Sequence, residues 1–147
     1  MEKKIGMIVG VLCIVLSLCY LAVGNPIVFF HNQELKHSIT SIKDDTKAVT
    51  LNEIVPFEWD VAYTFSPYTS QAEIEEVIGF RSNSIQETIS EGMVQLLFVK
   101  DNTVVASVCG YPDNIGYEVH FSGSVTCEEK AVFSVNREGD RIVLFEG

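Results

Sequence analysis

Basic side chains are what this sequence has least of: 10 lysines and arginines face 20 aspartates and glutamates over 147 residues. Without Glu2, Lys3 and Lys4 the remainder carries 8 basic and 19 acidic side chains, a net of −11. A surface of that sign repels phosphate backbones, which excludes nucleic acid as a partner class. It also disfavours charge-driven docking on anionic lipid. Solubility is the ordinary use of such a surface, and a basic protein partner is the more specific one.

Catalytic and cofactor signatures are missing as well. The chain has no G-x-S-x-G, no H-E-x-x-H, no phosphate-binding loop and no dinucleotide fingerprint. Only 3 histidines are present. His31 and His37 lie in a polar stretch with no cysteine or carboxylate cluster at metal-ligand spacing, so they are expected to be solvated. No catalytic residue, metal or cofactor is assigned.

Against these absences stands one long apolar run, Ile5–Gly24, with no charged residue and with Lys3 and Lys4 before it. About 20 apolar residues suffice for a helix to cross a bilayer core, and the leading lysines favour a cytoplasmic N-terminus. Three fates compete. The run is retained as a single-pass span, or it is cleaved after Gly24, where Ala22-Val23-Gly24 supplies small residues. The third is a lipid anchor at Cys19, where Leu16-Ser17-Leu18-Cys19 resembles the lipobox of bacterial lipoproteins. All three place residues 25–147 on the outer side of a membrane, as a tethered or secreted domain. Gly6 and Gly10, four apart, also fit the small-residue spacing of packed membrane helices.

After Asn25-Pro26 breaks the run, residues 25–49 are expected to be a juxtamembrane connector, either weak helix or extended tether. Ile27-Val28-Phe29-Phe30 is either an interfacial patch or the first packed element. Residues 50–147 are expected to form one extracytoplasmic α+β domain with an antiparallel sheet of about 5–6 strands, packed by one or two short helices. Thr50 and Glu53 have capping-box spacing. Phe57–Ser66 alternates, with Phe57, Trp59, Val61, Tyr63 and Phe65 assigned to one face and Glu58, Asp60, Ala62, Thr64 and Ser66 to the other. Ser70-x-x-Glu73 caps a helix over 68–80, with Ile74, Val77 and Ile78 as its apolar stripe and Gly79 as its stop. Met93–Lys100 and Thr103–Gly110 read as a hairpin about Asp101-Asn102. Tyr117–Ser122, Ala131–Val135 and Arg141–Phe145 follow as strands.

The run Tyr68-Thr69-Ser70-Gln71-Ala72-Glu73-Ile74-Glu75-Glu76-Val77-Ile78-Gly79 resembles the opening of the small α/β units of outer-membrane assembly lipoproteins and β-lactamase-inhibitor-like proteins. That resemblance implies a binding module at or beyond the membrane, without enzymatic activity. Trp59-Asp60 with Pro67-Tyr68-Thr69 is similar to membrane-anchored proteins of Gram-positive bacteria, a likeness that supplies no activity. Neither assigns a functional residue.

The side chains singled out are therefore few. Glu58 and Asp60 share a strand face, spacing that in principle suits paired carboxylate chemistry or calcium. With Glu118 and His120 they form the candidate binding face for a protein or peptide. Cys109 and Cys127 are a possible disulfide in an oxidising compartment, worth about 3 kcal/mol for a loop of roughly 18 residues. A small hydrolase using Cys109 with His120, or the Glu58/Asp60 pair, is the competing expectation. A regulatory or structural membrane subunit is the third.

Overall fold

The computed structural model describes residues 2–147, with the side chains of residues 2–4 and 19–23 outside the description. The roles considered for Lys3, Lys4, Cys19, Ala22 and Val23 therefore lie outside the described side chains. Helix α1 (Glu2–Val23) has 22 residues, and every described side chain on it, from Ile5 to Leu18, is exposed. Among the described residues no helix is long and apolar enough to cross a membrane. Ile5–Leu18 amounts to about 21 Å of helix at about 1.5 Å per residue, against a hydrocarbon core of about 30 Å.

The break expected at Asn25-Pro26 is present. Gly24 takes a φ of +73°, and the Asn25 carboxamide accepts from the Ile27 N–H at 3.1 Å. With Pro26 in the first turn, where its missing N–H costs nothing, α2 (Pro26–Thr40) begins immediately. Residues 25–49, expected as a connector, thus carry a docked helix and a strand. Val28, Leu35 and Ile39 of α2 are buried, whereas Ile27 and Phe30 stay exposed. Strand β1 (Ala48–Thr50) runs into α3 (Leu51–Ile54), whose Thr50/Glu53 capping box is formed.

The remaining elements are β2 (Val61–Phe65), α4 (Gln71–Ile78), β3 (Val94–Lys100), β4 (Thr103–Gly110), α5 (Pro112–Ile115), β5 (Tyr117–His120), β6 (Ser124–Thr126), β7 (Val132–Glu138) and β8 (Arg141–Glu146). The class is α+β, but the single sheet expected is in fact two four-stranded sheets. The first has the order β1-β7-β8-β5, antiparallel except for the parallel β5/β8 pair. The second has the order β4-β3-β2-β6 and is antiparallel throughout. Two three-residue strands, β1 and β6, escape the sequence pattern because each carries a single buried residue, Val49 and Val125. So short a segment shows no period.

The sheets pack face to face. Val119, Phe133, Ile142 and Leu144 of the first meet Ala62, Leu96, Phe98 and Val108 of the second, with Leu35, Ile39, Leu51 and Trp59 completing the core. The outer face of the second sheet holds a smaller cluster: Leu97, Val99 and Val104 beneath Val28, Ile74 and Ile85. The alternation of 57–66 is accordingly corrected. The chain bends at Asp60, and the strand starts only at Val61. Trp59 and Ala62, assigned to opposite faces, both enter the main core, while Tyr63 and Phe65 lie against the smaller cluster. The Ser70/Glu73 box and the Gly79 stop (φ +84°) of α4 are as expected, but Val77 is 60 % exposed and only Ile74 is fully buried. Asp101 and Asn102 both take positive φ, 48° and 55°, as a two-residue hairpin turn demands.

Strand β4 is the edge of the second sheet, and α2 closes it. A one-residue register shift opposite Phe98/Val99 leaves Val105 unpaired in the ladder, the usual behaviour of a β-bulge. The Val105 carbonyl accepts from His31 Nδ1 at 2.8 Å. Asn32 Nδ2 donates to the Ser107 carbonyl at 2.8 Å, and Asn32 Oδ1 accepts from the Ser107 N–H at 3.0 Å. One carboxamide thus occupies the position of a neighbouring strand. Asn32→Ala is expected to lower unfolding free energy by about 1–3 kcal/mol, because two strand groups lose their partner. Asn32→Asp keeps the acceptor and loses the donor, so it should fall between Ala and the parent in chemical denaturation. An alanine variant as stable as the parent would remove this role.

Candidate functional site

The four side chains proposed as one binding face separate into two places. Asp60 sits where the chain turns into β2, and its carboxylate binds the β3–β4 turn. Oδ2 accepts from the Asp101 N–H at 2.8 Å and Oδ1 from Lys100 Nζ at 3.1 Å. The Asp101 amide first, and Lys100 second, hold the Asp60 carboxyl below its ordinary value. Glu58 is exposed beside it, on the rim of a shallow depression with Trp59, Lys100 and Cys127. Asp60 is therefore committed to shaping a hairpin, so the pair does not offer two free carboxylates. Among the described residues no three or more His, Cys, Asp or Glu side chains gather as metal ligands, and the calcium expectation has no cluster to rest on.

Glu118 and His120 do come together, on the outward side of β5. Parallel pairing puts Glu118 opposite Val143 and His120 opposite Phe145. His120 stacks on the Phe145 ring at 4.7 Å, and its Nε2 lies 2.6 Å from Glu118 Oε2. Glu118 Oε1 accepts from Arg141 Nη1 at 2.8 Å. Arg141 also reaches Glu138 at 3.2 Å and Asp113 at 3.3 Å. One guanidinium thus gathers three carboxylates from β5, β7 and α5. Arg141 and Phe145 were not singled out from sequence. Only the register of β8 against β5 brings them beside the pair.

Next to this cluster, at the open end of the sandwich, a cleft of about 510 Å³ runs between Thr64 and Ser66 on one side and Glu118, His120 and Phe121 on the other. Gln95 at its base is buried, and neither atom of its carboxamide has a partner in the chain. The Thr64 hydroxyl donates to the Phe121 carbonyl at 3.0 Å and ties the two sheets together there.

The thiols are arranged otherwise than expected. Cys109 and Cys127 are both free, so the possible disulfide is not formed. Cys109 is on β4 and Cys127 follows β6, the two outer strands of one sheet, with β3 and β2 between them. Three strand steps of about 4.8 Å set them about 14 Å apart, roughly twice the Cα separation that a disulfide spans. Nor do Cys109 and His120 form a catalytic pair. The thiol points to the Glu87 carbonyl at 3.8 Å, and His120 is held by Glu118. Burial pushes the Cys109 thiol up, opposite to the shift that activates a nucleophile.

No family model, curated protein or solved structure matches the chain.

Two outcomes follow from this geometry. The intact mass of the chain should be the same with and without reductant, and both Cys109 and Cys127 should accept an alkylating reagent after unfolding. A gain of two hydrogens on reduction would instead reveal a bridge. For Asp60 the folded-state value is depressed, so its stabilisation is full above the ordinary carboxylate value of 3.8 and is lost as pH falls through the lower folded value. Asp60→Asn should be less stable than the parent at neutral pH, and the two curves should converge in acid below about pH 3.8. A constant difference down to low pH would dissociate Asp60 from this linkage.

Proposed function

We propose that the chain is a membrane-tethered, extracytoplasmic binding module that engages a protein or peptide and carries out no chemistry on it. The observation that carries this reading is the unequal covering of the two sheets. The outer face of β4-β3-β2-β6 is occupied by α4 and by the 81–92 segment, which buries Ile85 and Thr88. The outer face of β1-β7-β8-β5 is open to solvent at Val132, Ser134, Asn136, His120 and Phe145. Apolar Val132 and Phe145 among polar neighbours, with Glu118 and Arg141 at one end, make a surface of mixed character. Recognition surfaces are of this kind.

The tether rests on Ile5–Gly24 and on the exposure of every described α1 side chain from Ile5 to Leu18. Ile27 and Phe30, three apart on α2 and 61 % and 63 % exposed, add an apolar margin where that helix ends. The thiol-hydrolase alternative draws no support from the placement of Cys109 and His120.

Photocrosslinking in the native membrane tests the face. A crosslinking side chain at Ser134 should give a discrete heavier adduct, and one at Glu76 on α4 should not. Adducts from Glu76 alone, or equally from both, would overturn the assignment. Alkaline extraction with intact-mass analysis tests the tether separately: the full-length chain should stay in the membrane pellet, whereas release at the mass of residues 25–147 would mean a cleaved leader.

A further inference from the structure

Beyond the Asn32–Ser107 contact, α2 diverges from β4, and a cavity of about 240 Å³ opens between that helix, β4 and the start of β5. Its lining includes Lys36, Gln86, Ser107, Cys109 and Tyr117, with one ammonium and no carboxylate. In a chain with 20 acidic residues, that composition is a local reversal of charge. The walls also hold two hydroxyls that fold without a partner. Tyr117 is 2 % and Ser107 7 % exposed, and neither the Tyr117 Oη nor the Ser107 Oγ finds a hydrogen bond in the chain. Buried polar groups are nearly always paired, so two unpaired hydroxyls in one cavity call for a ligand that accepts.

Burial drives the Tyr117 phenol far above its ordinary range and raises the Cys109 thiol, so both stay neutral donors that do not repel an anion. Lys36 stands at the rim, its Nζ donating to the Asn114 carbonyl at 3.3 Å, with two further protons free for an incoming oxygen. The volume equals about eight waters at roughly 30 Å³ each, which limits an occupant to about eight non-hydrogen atoms.

We propose that this cavity is a binding site for a small monocarboxylate. Its carboxylate accepts from the Tyr117 and Ser107 hydroxyls and faces the Lys36 ammonium, and its short apolar remainder lies against Val108 and Ile115. The site is independent of the open sheet face and of the tether. It does not require that either of those assignments hold.

The test uses the full chain in detergent micelles, with butyrate, its neutral isostere butyramide and inorganic phosphate as probes read by ligand-observed NMR and competition. Butyrate should bind and butyramide should not. Lys36→Met and Tyr117→Phe should each weaken butyrate at least tenfold. Tyr117→Phe removes one unpaired buried oxygen, so without ligand its unfolding midpoint should match or exceed that of the parent. A merely structural hydroxyl would instead lower the midpoint and leave affinity alone. Absence of butyrate binding, equal binding of butyramide, or affinity unmoved by Lys36→Met would each overturn the proposal. Tighter binding of phosphate than of butyrate would overturn the carboxylate assignment in favour of an inorganic anion.

Discussion

A single carboxamide at the edge of one sheet governs much of this architecture. Strand β4 has β3 on one side only, and its outward N–H and C=O groups would otherwise template pairing with another chain. Asn32 satisfies both groups of Ser107 from a helix, and His31 satisfies the bulged Val105. Because those contacts fix the rotation of α2, Leu35 and Ile39 point between the sheets, and Val28 reaches the smaller cluster outside them. Edge protection and core formation are thus one event in this fold. The helix that follows the apolar leader belongs to the sandwich as much as any strand does.

The same docking divides the molecule by function. One sheet spends both faces on packing, with the main core on one side and α4 and the 81–92 segment on the other. The other sheet spends one face and leaves the second open. Polar residues on that open face are organised around Arg141, whose three carboxylate partners come from three different elements. Exposed ion pairs contribute little to stability singly, but a shared guanidinium fixes the mutual positions of Glu118, Glu138 and Asp113 and hence the shape of the surface.

What the sequence disclosed depended on the range of the interaction. Thr50/Glu53, Ser70/Glu73, Gly79 and the Asp101-Asn102 turn are satisfied within a few residues, and each is found where its local pattern places it. Longer-range features were hidden. Phe57–Phe65 looked like one unbroken strand because its alternation is regular, yet the backbone bends at Asp60 to reach the 101–102 turn. Nothing within that stretch records the bend. Cys109 and Cys127 looked like partners by spacing, but they lie on strands that the topology sends to opposite edges. Glu118 and His120, two apart on one strand, were the one pair whose neighbourhood the sequence could supply. Their companions Arg141 and Phe145 required the parallel register of β8.

The junction at Gly24-Asn25 has a bearing on how such a protein is handled after synthesis. Asn25 caps α2 with its own side chain, and the capped helix belongs wholly to the outer domain. A peptidase cutting between Gly24 and Asn25 would therefore sever no contact of the main core, and the new terminus would begin at a residue already serving as a helix cap. Anchored and shed forms would share one folded body, so a single proteolytic event would change where this domain resides without changing its fold.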